Sequence, residues 1–152
     1  MSKLLSVVVS VYNEEAVLEQ FYKVAGEVLN HIDWDYELLF VNDGSRDKSF
    51  QILTELAGRD RHVKVVSFSR NFGHEAAMIA GIDHSRGSAI ICMDADLQHP
   101  PRCIPQILDQ LEQALDVVNM VRPKNESAWW FKNLASSSFY KIINVLSDLK
   151  FE

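Results

Sequence analysis

Leu4-Leu5-Ser6-Val7-Val8-Val9-Ser10-Val11, ended by Tyr12-Asn13, is the stretch on which the fold turns. It is an eight-residue apolar run rich in β-branched side chains, which suit a pleated strand. Directly after it the period changes. Val17, Leu18, Phe21, Val24, Ala25, Val28 and Leu29 recur at three and four, the buried stripe of a helix. Asn13 reads as the N-cap of that helix, with Glu14 and Glu15 at the positive end of its dipole. A short apolar strand followed by a helical period is half of a βαβ unit.

The alternation repeats along the chain. A second strand is expected over Tyr36–Val41, stopped by Asn42-Asp43-Gly44-Ser45. A helix follows with Phe50, Leu53, Leu56 and Ala57 on one face and Gly58 as its stop. A third strand, Val63–Phe68, leads through Ser69-Arg70-Asn71-Phe72-Gly73-His74 into a helix that runs to Ile82. Its small residues Ala76, Ala77, Ala80 and Gly81 would let it approach the sheet closely. The fourth strand, Ser88–Met93, runs into Asp94-Ala95-Asp96. Pro100, Pro101 and Pro105 frame the next helix, with Ile104, Ile107, Leu108, Leu111 and Leu115 on its apolar side. Asp116–Val121 reads as a fifth strand and Trp129–Leu149 as a last, widely apolar helix. The expected fold is α/β, one domain with a mostly parallel sheet flanked by helices.

The 152 residues suffice for one such domain without a disulfide or metal to hold it. Apolar residues at 47% and charged residues at 24% exclude a disordered or collagen-like chain. The net charge of −6 disfavours broad nucleic-acid binding and leaves room for a local site for one or two phosphates. Of the two cysteines, Cys92 falls inside Ile90-Ile91-Cys92-Met93 and reads as a small buried hydrophobe. Without a Cys-x-x-Cys pair or a secretory signal, a reducing cytosolic setting is expected. No apolar stretch approaches the roughly 18 residues that cross a bilayer. The apolar last helix ends at Lys150-Phe151-Glu152 with nothing following to cover it. The chain therefore reads as a C-terminally truncated fragment, or as one whose last face docks on a membrane or partner.

In an open parallel sheet, ligands bind beyond the carboxyl ends of the strands. The residues expected there are Tyr12, Asn13 and Glu14; Asn42, Asp43, Gly44 and Ser45; Ser69, Arg70, Asn71 and Gly73; Asp94, Asp96, Gln98 and His99; and Arg122 and Lys124. Asp94-Ala95-Asp96 can set two carboxylates around one hard divalent cation. The same acid-x-acid pattern at Asp33-Trp34-Asp35 has no apolar strand leading into it. Asn42-Asp43-Gly44-Ser45 reads by itself as a β-turn leading to an N-cap, and its functional alternative is a carboxylate that accepts from a nucleobase or ribose. Arg70 suits a phosphate or a surface acid. His74, His84 and His99 read as packed or solvated, since no spacing makes them ligands. Neither a G-x-G-x-x-G fingerprint nor a P-loop occurs, and no G-x-S-x-G elbow.

Four segments together, Val8–Glu15, Val41–Ser45, Ser69–Gly73 and Met93–Pro101, resemble a family 2 glycosyltransferase with the GT-A fold. Within it the likeness is to polyprenyl-phosphate sugar transferases, the group of dolichol-phosphate mannose synthase and bactoprenol glucosyltransferase. The resemblance implies an inverting transferase that moves a sugar from a UDP- or GDP-linked donor to a polyprenyl phosphate at the cytoplasmic face of the membrane, with Mg2+ or Mn2+. It implies that Asp43 meets the base and that Tyr12, Asn13 and Glu14 surround the nucleoside, with Arg70 also on the donor side. Asp94 and Asp96 become the metal pair and Gln98 a further metal position. Arg122 and Lys132 meet phosphate, and Ser136–Ser138 line that pocket. Asp96 and Arg122 are the implied catalytic residues. An Asp-Phe motif with the family's catalytic carboxylate is not found between Trp129 and Glu152. The alternatives are a nucleotide-sugar-binding module without activity, a sugar nucleotidyltransferase, and transfer to a glycan or protein hydroxyl. Trp129-Trp130-Phe131 suits either a lipid interface or packing within the domain. An apolar last helix also makes a homo-oligomer an expectation.

Overall fold

The computed structural model describes residues 3–96 and 100–113. Its elements alternate: β1 (Leu4–Val11), α1 (Leu18–Leu29), β2 (Asp35–Asn42), α2 (Ser49–Arg59), β3 (Val63–Ser67), α3 (His74–His84), β4 (Ala89–Asp94) and α4 (Ile104–Glu112), the last preceded by a 3-10 turn over Pro101–Cys103. Among the described residues the sheet is parallel throughout, in the order β3-β2-β1-β4. The Asp116–Val121 strand, Leu115 and the Trp129–Leu149 helix lie outside the described residues.

Right-handed crossovers explain the layering. The chain steps from β1 to β2 to β3 in one direction, then returns past all of them to β4. Reversing the direction of travel puts the connecting helix on the opposite face. Accordingly, Leu5, Val7, Val9 and Val11 of β1 pack with Leu18 and Phe21 of α1, Leu53 and Leu56 of α2 and Ile104 and Leu108 of α4. Val8, Leu39 and Val41 on the other face pack with Ala77 of α3. Because β1 is covered on both faces, Val8 is buried as fully as Val7 and Val9, and only Ser6 and Ser10 interrupt its apolar run. Small residues do bring α3 close: a methyl on Gly81 would lie 2.2 Å from Val8 Cγ1.

Four local expectations need correction. Asn13 does not cap α1; it takes a left-handed conformation, φ 56°, and the helix begins at Leu18 after Val17. Asparagine serves both uses, and here its amide oxygen is taken by the Arg46 N–H at 2.8 Å. Gly58 lies inside the last turn of α2, and the stop is Asp60. Phe50 is 47% exposed. Ser49 holds the inward position instead, because its hydroxyl accepts the Glu14 N–H at 2.8 Å, and one residue on is a 100° turn away. Cys92 is exposed, not buried. It lies on the α3 side of β4, whereas α3 covers β1 and β2, so Ile90 beside it is exposed too.

A buried polar knot fixes the opposite end of the sheet. Glu37 Oε1 accepts the Ser6 hydroxyl at 2.6 Å and the Arg86 N–H at 2.7 Å, and Ser6 Oγ accepts the Gly87 N–H at 2.8 Å. The turn entering β4 is thereby tied to β1 and β2, with the buried carboxylate satisfied. Among the described residues no helix is long and apolar enough to cross a membrane.

Candidate active site

Strand order reverses between β1 and β4, so a crevice opens beyond their carboxyl ends. A cavity of about 280 Å³ lies there. Ser10, Tyr12 and Glu14 line it from the end of β1, Asp43 from β2, Asn71 and His74 from the β3–α3 connection, and Asp94, Ala95 and Asp96 from β4.

Two sets of hydrogen bonds build this rim. The first staples the β1–α1 loop to the β2–α2 loop. The Asn13 N–H donates to Ser45 Oγ at 3.0 Å, and the Arg46 N–H returns to Asn13 Oδ1. The Glu15 N–H donates to Asp47 Oδ2 at 3.1 Å, and the Lys48 N–H returns to Glu15 Oε2 at 2.8 Å. Burial would raise the Asp47 carboxyl, yet bonds from Ser49 and Glu15 hold it below its usual range. The second set is made by Asp43. Its carboxylate accepts the Phe72 N–H at 2.7 Å and the Gly73 N–H at 2.9 Å, one on each oxygen. At 1% exposure Asp43 acts as an internal bracket for the β3–α3 connection. Gly44 allows the same connection to lie against it: with φ 65°, a methyl there would sit 2.2 Å from the Arg70 carbonyl carbon.

The electrostatics are those of crowded acids. Burial raises the Glu14 carboxyl above its ordinary range, and the charges of Asp96, Asp47 and Asp94 push it the same way. Three carboxylates of like charge thus reach one cavity. Among the described residues the side chains do not already form a cluster of three or more metal ligands. The other acid-x-acid pattern sits at the far end of the sheet. Asp33 and Trp34 line a hollow of about 510 Å³ with Lys3 and Arg102, beside the amino end of β2.

Of the residues expected at the site, Tyr12, Glu14, Asp43, Asn71, Asp94 and Asp96 come together around one cavity. Asn13 belongs to the loop staple. Arg70 lies in a neighbouring hollow of about 370 Å³ with Arg46 and Phe50, its guanidinium 4.8 Å over the Phe72 ring. Gln98, His99, Arg122, Lys124, Trp129-Trp130-Phe131, Lys132 and Ser136–Ser138 lie outside the described residues. His74 is the lining residue that spacing alone passes over. The clue to it is position, since it opens the helix that follows a strand-end loop.

Relatives share this chain's sequence over nearly its whole length. The uncharacterized glycosyltransferase YkcC of Bacillus subtilis (strain 168) is 43% identical over 144 residues, 95% of this chain and 45% of that protein. The bactoprenol glucosyl transferase of Shigella phage SfV is 38% identical over 148 residues, 97% of this chain and 48% of that protein. The chain thus spans about half the length of the curated relatives it matches. The mannosyltransferase PcManGT from Pyrobaculum calidifontis, solved in complex with GDP-Man and Mn2+, superposes with a TM-score of 0.65 over 82% of this chain and 37% of that one. At 19% identity, that likeness shows the shared fold. The pattern of glycosyl transferase family 2 matches residues 6–150, and the chain belongs to that family.

Proposed function

We propose that this chain is the donor-binding part of a metal-dependent, inverting glycosyltransferase that moves a sugar from a nucleotide diphosphate to a polyprenyl phosphate at the cytoplasmic face of a membrane. The observation that carries the reading is the convergence of Glu14, Asp94 and Asp96 on the crevice where strand order reverses. Two comparisons support its direction. A relative at 38% identity is named a bactoprenol glucosyl transferase, and a protein of the same fold was solved with GDP-Man and Mn2+.

Asp94 and Asp96, with Gln98, would hold Mg2+ or Mn2+. The ion would offset the negative charge that grows on the departing diphosphate. Asp43 keeps the Phe72 and Gly73 amides in place, which holds the flanking cavity residues Asn71 and His74 before a donor arrives. Tyr12, 42% exposed at the mouth, offers a ring face to a base. In the transfer itself, an acceptor phosphate oxygen forms a bond to the anomeric carbon. The bond from that carbon to the diphosphate oxygen breaks from the opposite side and takes its electron pair with it. A phosphate is ionised at neutral pH, so its requirement is positioning, the role we assign to Arg122 and Lys132.

The test has two arms. UDP and GDP are titrated into the chain with and without Mn2+, and into Asp94→Asn and Asp96→Asn. Binding of one nucleotide that depends on Mn2+ and weakens about tenfold or more in either variant is expected. In the full-length protein, transfer of label from a nucleotide sugar to undecaprenyl phosphate is expected, and Asp96→Asn should abolish it. Nucleotide binding indifferent to Mn2+ and to both substitutions would overturn the proposal.

A further inference from the structure

The wall of the 280 Å³ cavity is dominated by acceptors, the carboxylates of Glu14, Asp43, Asp94 and Asp96. A diphosphate entering it needs hydrogen-bond donors as well as a cation. Among the described lining side chains, nitrogen donors come from Asn71 and His74.

His74 is held for such a task. Its Nδ1 lies 3.2 Å from Ser10 Oγ and 3.6 Å from Asp94 Oδ1, between the adjacent ends of β1 and β4. Its backbone is fixed by the preceding residues, because Asp43 accepts both the Phe72 and the Gly73 amide. When the Ser10 hydroxyl donates to Nδ1, the neutral imidazole carries its proton on Nε2. Nε2 has no hydrogen-bond partner among the described residues. Ser10 and Asp94 thus anchor the ring at Nδ1, beside an acidic cavity.

We propose that His74 is a donor-binding residue: Nε2–H donates to a phosphoryl oxygen of the nucleotide diphosphate, and Ser10 sets the tautomer by holding Nδ1. This rests on the reading of the cavity as a nucleotide-sugar site, and adds to it a protein-borne donor that works beside the ion.

The experiment is calorimetric titration at fixed Mn2+ of the chain, His74→Ala, His74→Gln and Ser10→Ala with the nucleoside diphosphate and with its parent nucleoside. Thermal melts of each variant are recorded alongside. In His74→Ala the diphosphate should bind about tenfold more weakly, as expected for one hydrogen bond to a charged group, with the nucleoside and the melt unchanged. His74→Gln, whose amide can donate, should recover part of the loss. Ser10→Ala should weaken the diphosphate by a smaller factor. Unchanged diphosphate binding in His74→Ala, or an equal loss for nucleoside and diphosphate, overturns the proposal while leaving the site reading intact. Failure of the unaltered chain to bind either ligand overturns both.

Discussion

Replacing Asp43 by Asn isolates the bracket that shapes the cavity. The carboxylate gives one oxygen to the Phe72 N–H at 2.7 Å and the other to the Gly73 N–H at 2.9 Å. A carboxamide has one oxygen, so in either orientation its NH2 faces one of the two backbone donors. With Asp43 1% exposed, water has little access to fill the gap. The substitution removes one charge-assisted hydrogen bond, about 1.5–3 kcal/mol, and leaves one part-buried N–H without its acceptor, at up to about 1–3 kcal/mol. These overlap, and a net loss of about 2–4 kcal/mol follows. For a urea dependence of ~1–3 kcal/mol/M the midpoint should fall by about 1–2 M. Equilibrium urea unfolding measures the loss, and native-state hydrogen exchange locates it: the Phe72 or Gly73 amide should lose protection first, before β1 and β2. A midpoint unchanged from the parent chain, with both amides still protected, would refute the bracket.

Two further outcomes follow from local geometry. A methyl at Gly81 meets Val8 Cγ1 at 2.2 Å and Val41 Cγ2 at 3.2 Å, whereas one at Gly26 in α1 meets nothing within 4 Å. Gly81→Ala should therefore lose about 1–2 kcal/mol, overpacking against stiff valines outweighing a better helix former, and Gly26→Ala should gain about 0.5–1 kcal/mol, as read from thermal melts. Burial alone would raise the Asp60 carboxyl, but the His62 amide, the Tyr22 hydroxyl and the His62 ring hold it below its ordinary range. A depressed carboxylate stabilises the fold above its unfolded pKa and loses that contribution as pH falls through its folded one. The stability gap between the parent chain and Asp60→Asn should hold from about pH 7 to about pH 5 and shrink below about pH 4.

What could be read from the residues followed how directly each one reports its surroundings. The apolar run Leu4–Val11 reports a strand covered on both faces, and that is where β1 lies. Asp94 and Asp96 were legible because an apolar strand delivers them to the rim, whereas Asp33 and Asp35 flank the start of β2 at the opposite end. Other residues carry their information in the tertiary structure. Phe50 and Cys92 have apolar side chains, and periodicity does not record which flank a helix covers. Asn13 can cap a helix or take a left-handed turn, and the partner that decides, Arg46, lies thirty-three residues away. His74 has no ligand spacing; it opens α3, and its neighbours Ser10 and Asp94 come from two strands distant in sequence.

The reciprocal bonds between Asn13 and the Ser45-Arg46 pair, and between Glu15 and the Asp47-Lys48 pair, bear on how the ligand preference of the proposed nucleotide-sugar site could be re-engineered. A graft carrying only the first loop from a relative would arrive with its side chains and amides facing strangers on the second. Any swap meant to change which sugar nucleotide is chosen should move both loops as a single cassette, and double-mutant cycles across the pair should show strong coupling where single substitutions on each look mild.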